Sequence, residues 1–340
     1  MHAAALRLPT TLAAARAARA PRRQPRARRA AAAAAAAAAA PRAMAAAGNG
    51  VTDVPSGVSA SDKARFLEVA LAAAREAGAA IAAAWDGERA IEHKGAVDLV
   101  TETDKACEAL ILARVRAAFP DHAFIGEEGS SAAGATAALT DAPTWFVDPV
   151  DGTTNFVHRW PFACVSIGLA VRRRLVVGVV LNPTLGETFH AVEGGGAYLN
   201  GAPIRVSQTA ELANALFSTE IGTRRDPEFM DAVFGRVRAV TQACRSVRAC
   251  GSCALNLCSV AMGRLDFFYE VGLGGAWDYA AGALIVAEAG GHVLDPAGGP
   301  FGLMSRRVLG ANALLGNKAA ALLAAPELYA PGEPPAPESA

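Results

Sequence analysis

An α/β fold with an antiparallel sheet in the middle of the chain is predicted from three observations. Residues 163–182 hold two β-rich runs split by Arg172, Arg173 and Arg174, the pattern of a hairpin or meander, and residues 189–192 and 197–199 extend it. From residue 216 onward, strand-like and helix-like segments alternate. Acidic residues also recur where those segments end.

Taken in order, residues 61–84 carry Phe66, Leu67, Ala70, Leu71, Ala74 and Ala77 at helical spacing, with Ser59 and Ser61 as caps. Leu99, Val100 and Thr101 lead into a second helix from about residue 103, which Pro120 stops after Phe119. A short apolar strand over 122–125 ends at Gly126, Glu127 and Glu128, and another over 145–147 ends at Asp148. The later alternation comprises a strand at 216–220, a helix from 227 to about 240 and a strand at 247–249. It continues with a helix at 252–262, a strand at 265–270, a helix at 277–290 and strands at 293–295 and 308–315. Past Pro326 the Pro- and Glu-rich end is expected to be disordered.

With 340 residues and 52% hydrophobic content, the chain can hold one large or two modest domains around a substantial core. Residues 1–50 stand apart: they contain nine Arg, no Asp, Glu or Lys, and an alanine tract at 30–40. That composition is similar to an organelle transit peptide, for plastid or mitochondrion, although its near lack of Ser is atypical. The other reading is an upstream extension with Met44 as the start and a cytoplasmic product. Without those nine arginines, 23 basic residues face 32 acidic ones, so formal neutrality conceals an acidic body. An acidic body argues against nucleic-acid binding and suits metal-binding carboxylates. No apolar run of about 18 lipid-compatible residues follows, so no membrane span is expected.

The six cysteines lack the paired spacings of a four-cysteine zinc site. Cys250 and Cys253 form a C-x-x-C, but the intervening Gly251 and Ser252 and the apolar flanks favour buried thiols over a redox pair. The six histidines form no H-x-x-x-H or H-E-x-x-H pair, and neither G-x-S-x-G nor G-x-x-x-x-G-K-[ST] occurs. Zinc-hydrolase, serine-hydrolase and P-loop chemistries therefore lack their essential parts.

The segment WFVDPVDGTTNF at 145–156 is the most informative. Pro149 cannot donate to a ladder and biases Asp148 toward an extended conformation, so Asp148 and Asp151 are presented at a strand end. Gly152 permits a tight turn, and Thr153 and Thr154 suit an N-cap that aims free N–H groups at an anion. Hard carboxylates beside an anion hole suit Mg²⁺ and phosphate. Alone, the segment is equally an Asx-turn. Its partners decide: Glu127 and Glu128, Asp278 and Asp104 also fall at element ends. Each has a plain alternative: Asp278 as an N-cap, the glutamates as solvated charges, Asp104 as a first-turn residue, Trp277 as core.

The segments DLVTETDK at 98–105, FIGEE at 124–128, WFVDPVDGTTNFVHRWPFACVSIG at 145–168 and WDYAAGALIVAEAGG at 277–291 resemble the inositol monophosphatase family of magnesium-dependent, lithium-sensitive phosphatases. The resemblance runs from about residue 62 to 318. It implies a layered αβαβα sandwich of the sugar phosphatase type with mixed sheets, a catalytic domain at 51–325, tails at 1–50 and 326–340, and a homodimer. It implies metal ligation by Glu127, Asp148, the Val150 carbonyl, Asp151 and Asp278, with on the order of two or three Mg²⁺ per subunit. A water nucleophile would be activated near Thr153 and Asp104, with Glu127 close by. Gly152 and Thr153 would grip phosphate, while Gly251, Ser252, Cys253, Glu270 and Asp278 would meet the sugar or inositol. The stretches EHKGAVDLVTETDK, GTRRD at 222–226 and YEVGLGGAWD at 269–278 look most like plant enzymes acting on inositol monophosphate and L-galactose 1-phosphate. Seven residues separate Glu270 from Asp278, one more than in the animal enzymes, which bears on Glu270 as a substrate contact. The same chemistry on histidinol phosphate or another sugar phosphate is the nearest alternative, and a noncatalytic phosphate-ligand or redox module a remote one.

Overall fold

The computed structural model describes residues 51, 55–87, 91–93 and 99–337, all within one compact unit spanning 47–340. The expectations for the N-terminal segment and for Asp98 lie outside the described residues.

Helix α1 (Ala60–Ala84) starts where Ser59 accepts the Asp62 amide, and it buries Phe66, Ala70, Ala74, Ala77 and Ile81 on one stripe. A short hairpin of β1 (Ile91–His93) and β2 (Leu99–Thr101) leads into α2 (Glu102–Ala118), capped reciprocally by Thr101 and Asp104. The first sheet has seven strands in the order β3 (Ala123–Gly126), β4 (Thr144–Asp151), β5 (Cys164–Val171), β6 (Arg174–Asn182), β7 (Glu187–Val192), β8 (Gly196–Leu199) and β9 (Ala202–Pro203). Only β3 and β4 run parallel. Helices α3 (Glu127–Ala133) and α4 (Thr153–His158) follow β3 and β4 directly.

The second sheet has six strands in the order β11 (Ser246–Arg248), β10 (Leu216–Thr219), β12 (Phe267–Val271), β15 (Arg307–Asn312), β13 (Gly291–Asp295) and β14 (Gly299–Pro300). It is mixed: β10 pairs parallel with β11 and β12, whereas β15 runs antiparallel to β12 and β13. Helices α5 (Pro227–Ala243), α6 (Cys253–Ala261), α7 (Ala280–Glu288) and α8 (Gly316–Leu323) complete the chain.

Strand alternation sorts the core into layers. Trp145, Val147, Ile167 and Val179 meet α1 and α2 on the outer face of the first sheet. Phe146 and Val180 point the other way, onto α6 and α7. In the second sheet Phe268 faces that same middle layer, while Phe267 and Tyr269 meet α5 and α8. The result is the layered α/β/α/β/α arrangement. Helix α7, apolar on every side, is buried throughout, as a middle layer requires. It approaches the first sheet closely because Gly178 has no side chain: a Cβ there would lie 2.6 Å from the Ala281 carbonyl oxygen and 3.1 Å from its Cα.

Three expectations change. Strand β4 continues past Asp148 to Asp151, through a bulge. The helix expected at 277–290 begins instead as a 3₁₀ turn over Ala276–Asp278, and α7 starts at Ala280. Residues 326–337, expected to be disordered, form a packed strap. Glu333 holds Arg236 of α5 through two bonds of 2.8 and 3.0 Å, both side chains being only 2–3% exposed, and Arg236 also donates to the Leu328 carbonyl. Arg307, bound to Asp295, donates to the Pro334 carbonyl, and the Tyr329 ring lies beside both guanidinium groups. Composition alone could not foresee this, because two buried arginines supply what few apolar residues could not. No helix among the described residues is long and apolar enough to cross a membrane.

Candidate active site

In a regular strand, residues three apart point to opposite faces. Asp148 lies opposite Ser166 on the middle-layer face, and the ladder shifts before pairing resumes between Asp151 and Cys164. Pro149 has no amide to pair, and the Val150 amide turns back onto Asp148 Oδ1 at 3.0 Å. The bulge thus brings both carboxylates to one cavity. Asp151 Oδ2 is fixed by Ser252 Oγ and the Ala254 amide, each at 2.7 Å. Gly152 follows with φ 94°, where a Cβ would stand 2.9 Å from the Phe162 carbonyl oxygen and 3.0 Å from that of Gly251. Only glycine fits both the angle and the space.

Gly152, not a threonine, is the N-cap of α4, so the expected hydroxyl cap is absent. Thr153 Oγ1 instead sits between Asp104 Oδ1 and the Val150 carbonyl, 3.1 Å from each. Asp104 is buried behind it, its Oδ2 held by the Thr101 amide at 2.9 Å and the Thr101 hydroxyl at 2.5 Å. Burial raises its pKa, and those hydrogen bonds only partly oppose the shift. Glu127 opens α3, and its loop is held by Glu108, which accepts the Glu128 amide at 2.9 Å and the Gly129 amide at 2.8 Å. Glu108 was not singled out from the sequence. Its signal was a carboxylate on the buried stripe of Asp104, Ile111 and Val115.

Asp278 is not the N-cap of α7. It ends the 3₁₀ turn, accepting the Gly275 amide at 3.3 Å, and Ser166 Oγ ties that turn to β5 through the Trp277 carbonyl at 3.0 Å. Trp277 is core, yet one side borders the cavity. Glu270 stands on β12 opposite Val308 and is 9% exposed, and its Oε2 has no hydrogen-bond partner among the described residues.

These groups enclose about 510 Å³, lined by Glu127, Asp148, Val150, Asp151, Gly152, Thr153, Gly251, Ser252, Cys253, Glu270 and Asp278. Every site residue expected from the sequence lies there except Asp104, which acts from behind Thr153, and Glu128, which lies outside the cavity lining with its amide held by Glu108. Glu220, Asn155 and Arg306 also line it and were not anticipated. A separate cleft of about 650 Å³ between the strap and residues 302–306 has a largely proline and glycine lining and no comparable set of polar groups.

Burial pushes the Asp148 carboxyl well above the usual range, and the charges of Glu127, Asp151, Asp278 and Asp104 push it further. Asp278 is raised by burial, then by Glu127 and Asp151. Asp151 rises only to about 6, because its hydrogen bonds from Ser252, Ala254 and Cys253 oppose burial. Clustered, buried carboxylates of this kind call for a cation. Among the described residues no three acidic, His or Cys side chains already converge on one point. The carboxylates ring a cavity, a donor set that fits a hard ion retaining part of its water shell. All six thiols are free, and burial raises those of Cys250 and Cys253, which disfavours the thiolate a redox pair needs.

The family model described as the inositol monophosphatase family matches residues 62–328. The chain belongs to the inositol monophosphatase family. Inositol monophosphatase 2 of Solanum lycopersicum is 58% identical over 250 residues, covering 74% of this chain and 94% of that protein. Inositol monophosphatase 1 of Homo sapiens is 43% identical over 248 residues, covering 72% and 89%. The crystal structure of extragenic suppressor protein suhB from Bartonella henselae superposes with a TM-score of 0.69 at 32% identity, covering 76% of this chain and 98% of that one. The plant relatives stand above the animal ones in identity, in line with the sequence segments noted above. As a member of this family the chain is a phosphatase, a phosphoric monoester hydrolase.

Proposed function

We propose that this chain is a Mg²⁺-dependent phosphomonoesterase that hydrolyses myo-inositol monophosphate, L-galactose 1-phosphate or both to the free polyol or sugar and phosphate. The observation that carries this reading is the convergence of four carboxylates, Glu127, Asp148, Asp151 and Asp278, on the cavity that contains the Gly152–Thr153 turn. Glu127, Asp148, the Val150 carbonyl, Asp151 and Asp278 would hold the ion, which when bound neutralises their mutual repulsion and polarises the phosphoryl oxygens. The chain does the rest. The Gly152–Thr153 backbone holds the phosphate, and Thr153 Oγ1, donating to Asp104, keeps its lone pairs for a water poised to attack phosphorus. As the new P–O bond forms the attacking water gives up a proton, the ester P–O bond breaks and the leaving oxygen gains a proton, so that the elements of one water are added across the ester. The unpartnered Glu270 Oε2 suits a substrate hydroxyl, and its place in β12 keeps it at the cavity despite the extra residue before Asp278.

The purified protein is expected to release phosphate from at least one of these esters, and only with Mg²⁺. Undiminished turnover in excess chelator would refute the metal assignment, and better efficiency on histidinol phosphate would move the substrate. A homodimer is part of the same reading. Trp160 is 60% and Leu185 46% exposed, and Asn182 bonds both the Pro161 carbonyl and the Leu185 amide, so the two lie on neighbouring turns. Sedimentation of Trp160→Glu against the parent tests it, a dimeric variant counting against this face. Residues 1–50 are proposed as an organelle-targeting segment, tested by whether they relocate a fluorescent fusion partner.

A further inference from the structure

Glu220 follows β10 and lines the cavity on the side of Gly251 and Glu270, away from the Gly152–Thr153 turn in sequence and in sheet. One of its oxygens, Oε1, accepts three hydrogen bonds, from the Cys250 amide at 2.8 Å, the Gly251 amide at 2.9 Å and Asn256 Nδ2 at 2.7 Å. Asn256 is fully buried and is oriented by Ser218, whose hydroxyl stands 3.0 Å from its Oδ1, which leaves Nδ2 aimed at Glu220. Asn155 clamps the same loop from the other side, donating to the Cys250 carbonyl at 2.7 Å. One half of the carboxylate is thus committed to holding the loop of Gly251, Ser252 and Cys253. The other oxygen, Oε2, takes no hydrogen bond from the described residues.

Glu270 is the second acceptor at this end, with a buried and unpartnered Oε2, and the charge of Glu220 is the strongest felt by it. Side by side the two offer chiefly acceptors, and burial and the charge of Glu220 raise the Glu270 pKa. The nearby cation, Arg306, donates its Nε to the Leu273 carbonyl at 2.5 Å and makes no ion pair with either glutamate among the described residues. A ligand that satisfies the free oxygens of Glu220 and Glu270 brings hydroxyl donors, and a second phosphate set against those oxygens would meet like charge.

We propose that Glu220 is a specificity-determining residue. It holds the Gly251 loop with Oε1 and accepts a ring hydroxyl of the substrate with Oε2, so that the site takes polyol monophosphates and disfavours sugar bisphosphates. The inference rests on the phosphatase reading and goes beyond it by assigning the discrimination to this side chain. Glu220→Gln keeps an oxygen for the three donors but replaces the second acceptor by an amide. Its kcat/KM for inositol 1-phosphate is expected to fall about tenfold, the loss of one hydrogen bond to a charged group. The loss for p-nitrophenyl phosphate, which has no ring hydroxyl, is expected to be at least fivefold smaller. Equal losses on the two esters, or no loss on either, overturn the assignment. A measurement on the unaltered protein guards against a variant that fails to fold. Its kcat/KM for fructose 1,6-bisphosphate should be at least tenfold below that for inositol 1-phosphate, and comparable values also overturn the proposal. If the unaltered protein releases phosphate from none of these esters with Mg²⁺, the phosphatase reading fails and takes this one with it. Activity without the stated differences overturns this inference alone.

Discussion

Glu333 is the most informative residue to remove, because it lies beyond the residue at which the family match ends and yet holds a charge inside the protein. Glu333→Gln preserves volume and one acceptor but cancels the negative charge opposite Arg236, whose guanidinium is 3% exposed and otherwise keeps the Leu328 carbonyl. Breaking a buried pair by neutralising one partner costs about 3–5 kcal/mol, and the retained carbonyl places this case near about 3. For a domain of this size each kcal/mol moves the melting temperature by about 2–4 °C, so a drop of roughly 6–12 °C is expected. Because replacing both ions by apolar side chains is often neutral, Arg236→Met with Glu333→Leu should recover at least half of that drop. Thermal melts of the three proteins at one salt concentration decide the matter. A Glu333→Gln melt within about 2 °C of the parent, or a double variant no better than the single, would refute the view that the strap is held by a buried ion pair.

Thr153→Ala should lower kcat by about 10²-fold or more, while Thr153→Ser restores most of it, since the hydroxyl and its bond to Asp104 are what matter. Steady-state kinetics on inositol 1-phosphate separates the two, and equal losses would point to packing. Gly152→Ala must place a Cβ 2.9 Å from the Phe162 carbonyl at φ 94°, so it should cost more than about 1 kcal/mol in stability as well as activity; an unchanged melt would contradict the geometry. Burial opposes ionisation of Glu193, but hydrogen bonds from Lys63 and Ser56 outweigh it and hold its pKa below the ordinary value of 4.5. Its contribution to stability is therefore present above pH 4.5 and lost as pH falls through the lower folded value, so the melting difference between parent and Glu193→Gln should shrink below pH 4.5. Mg²⁺ at about a hundred times its dissociation constant should stabilise the protein by about 2.7 kcal/mol, reversed by chelator. A melt indifferent to Mg²⁺ would argue against the carboxylate cluster as its site.

Local pattern carried most of the elements, because each buries one face and so leaves a period in the sequence. The stripe of Phe66, Ala70, Ala74 and Ala77 and the alternation in Phe267, Phe268 and Tyr269 are of this kind. The acidic ends of β3 and β4 were equally legible, as hard ligands at sites where a ladder stops. What escaped was set by distant partners. Asp278 has the composition of a helix cap, but Ser166 and Gly275 draw it into a 3₁₀ turn. Glu220 and Glu108 hold loop amides 30 and 20 residues away, a pairing that no period records. The strap leaves no such signal, because its low hydrophobicity hides the anchorage that Arg236 and Arg307 provide from across the fold.

The carboxylates of the cavity come from both sheets, Asp148 and Asp151 from β4 and Glu270 from β12, with Asp278 in the turn before the middle helix α7. Neither sheet alone contains a working centre, so enzymatic turnover requires the layers to be docked as well as formed. It also follows that a residue with no chemistry of its own can silence the enzyme. Gly178 touches α7 through backbone alone, and a methyl group there would press on α7 and, with it, on Asp278 just ahead of that helix.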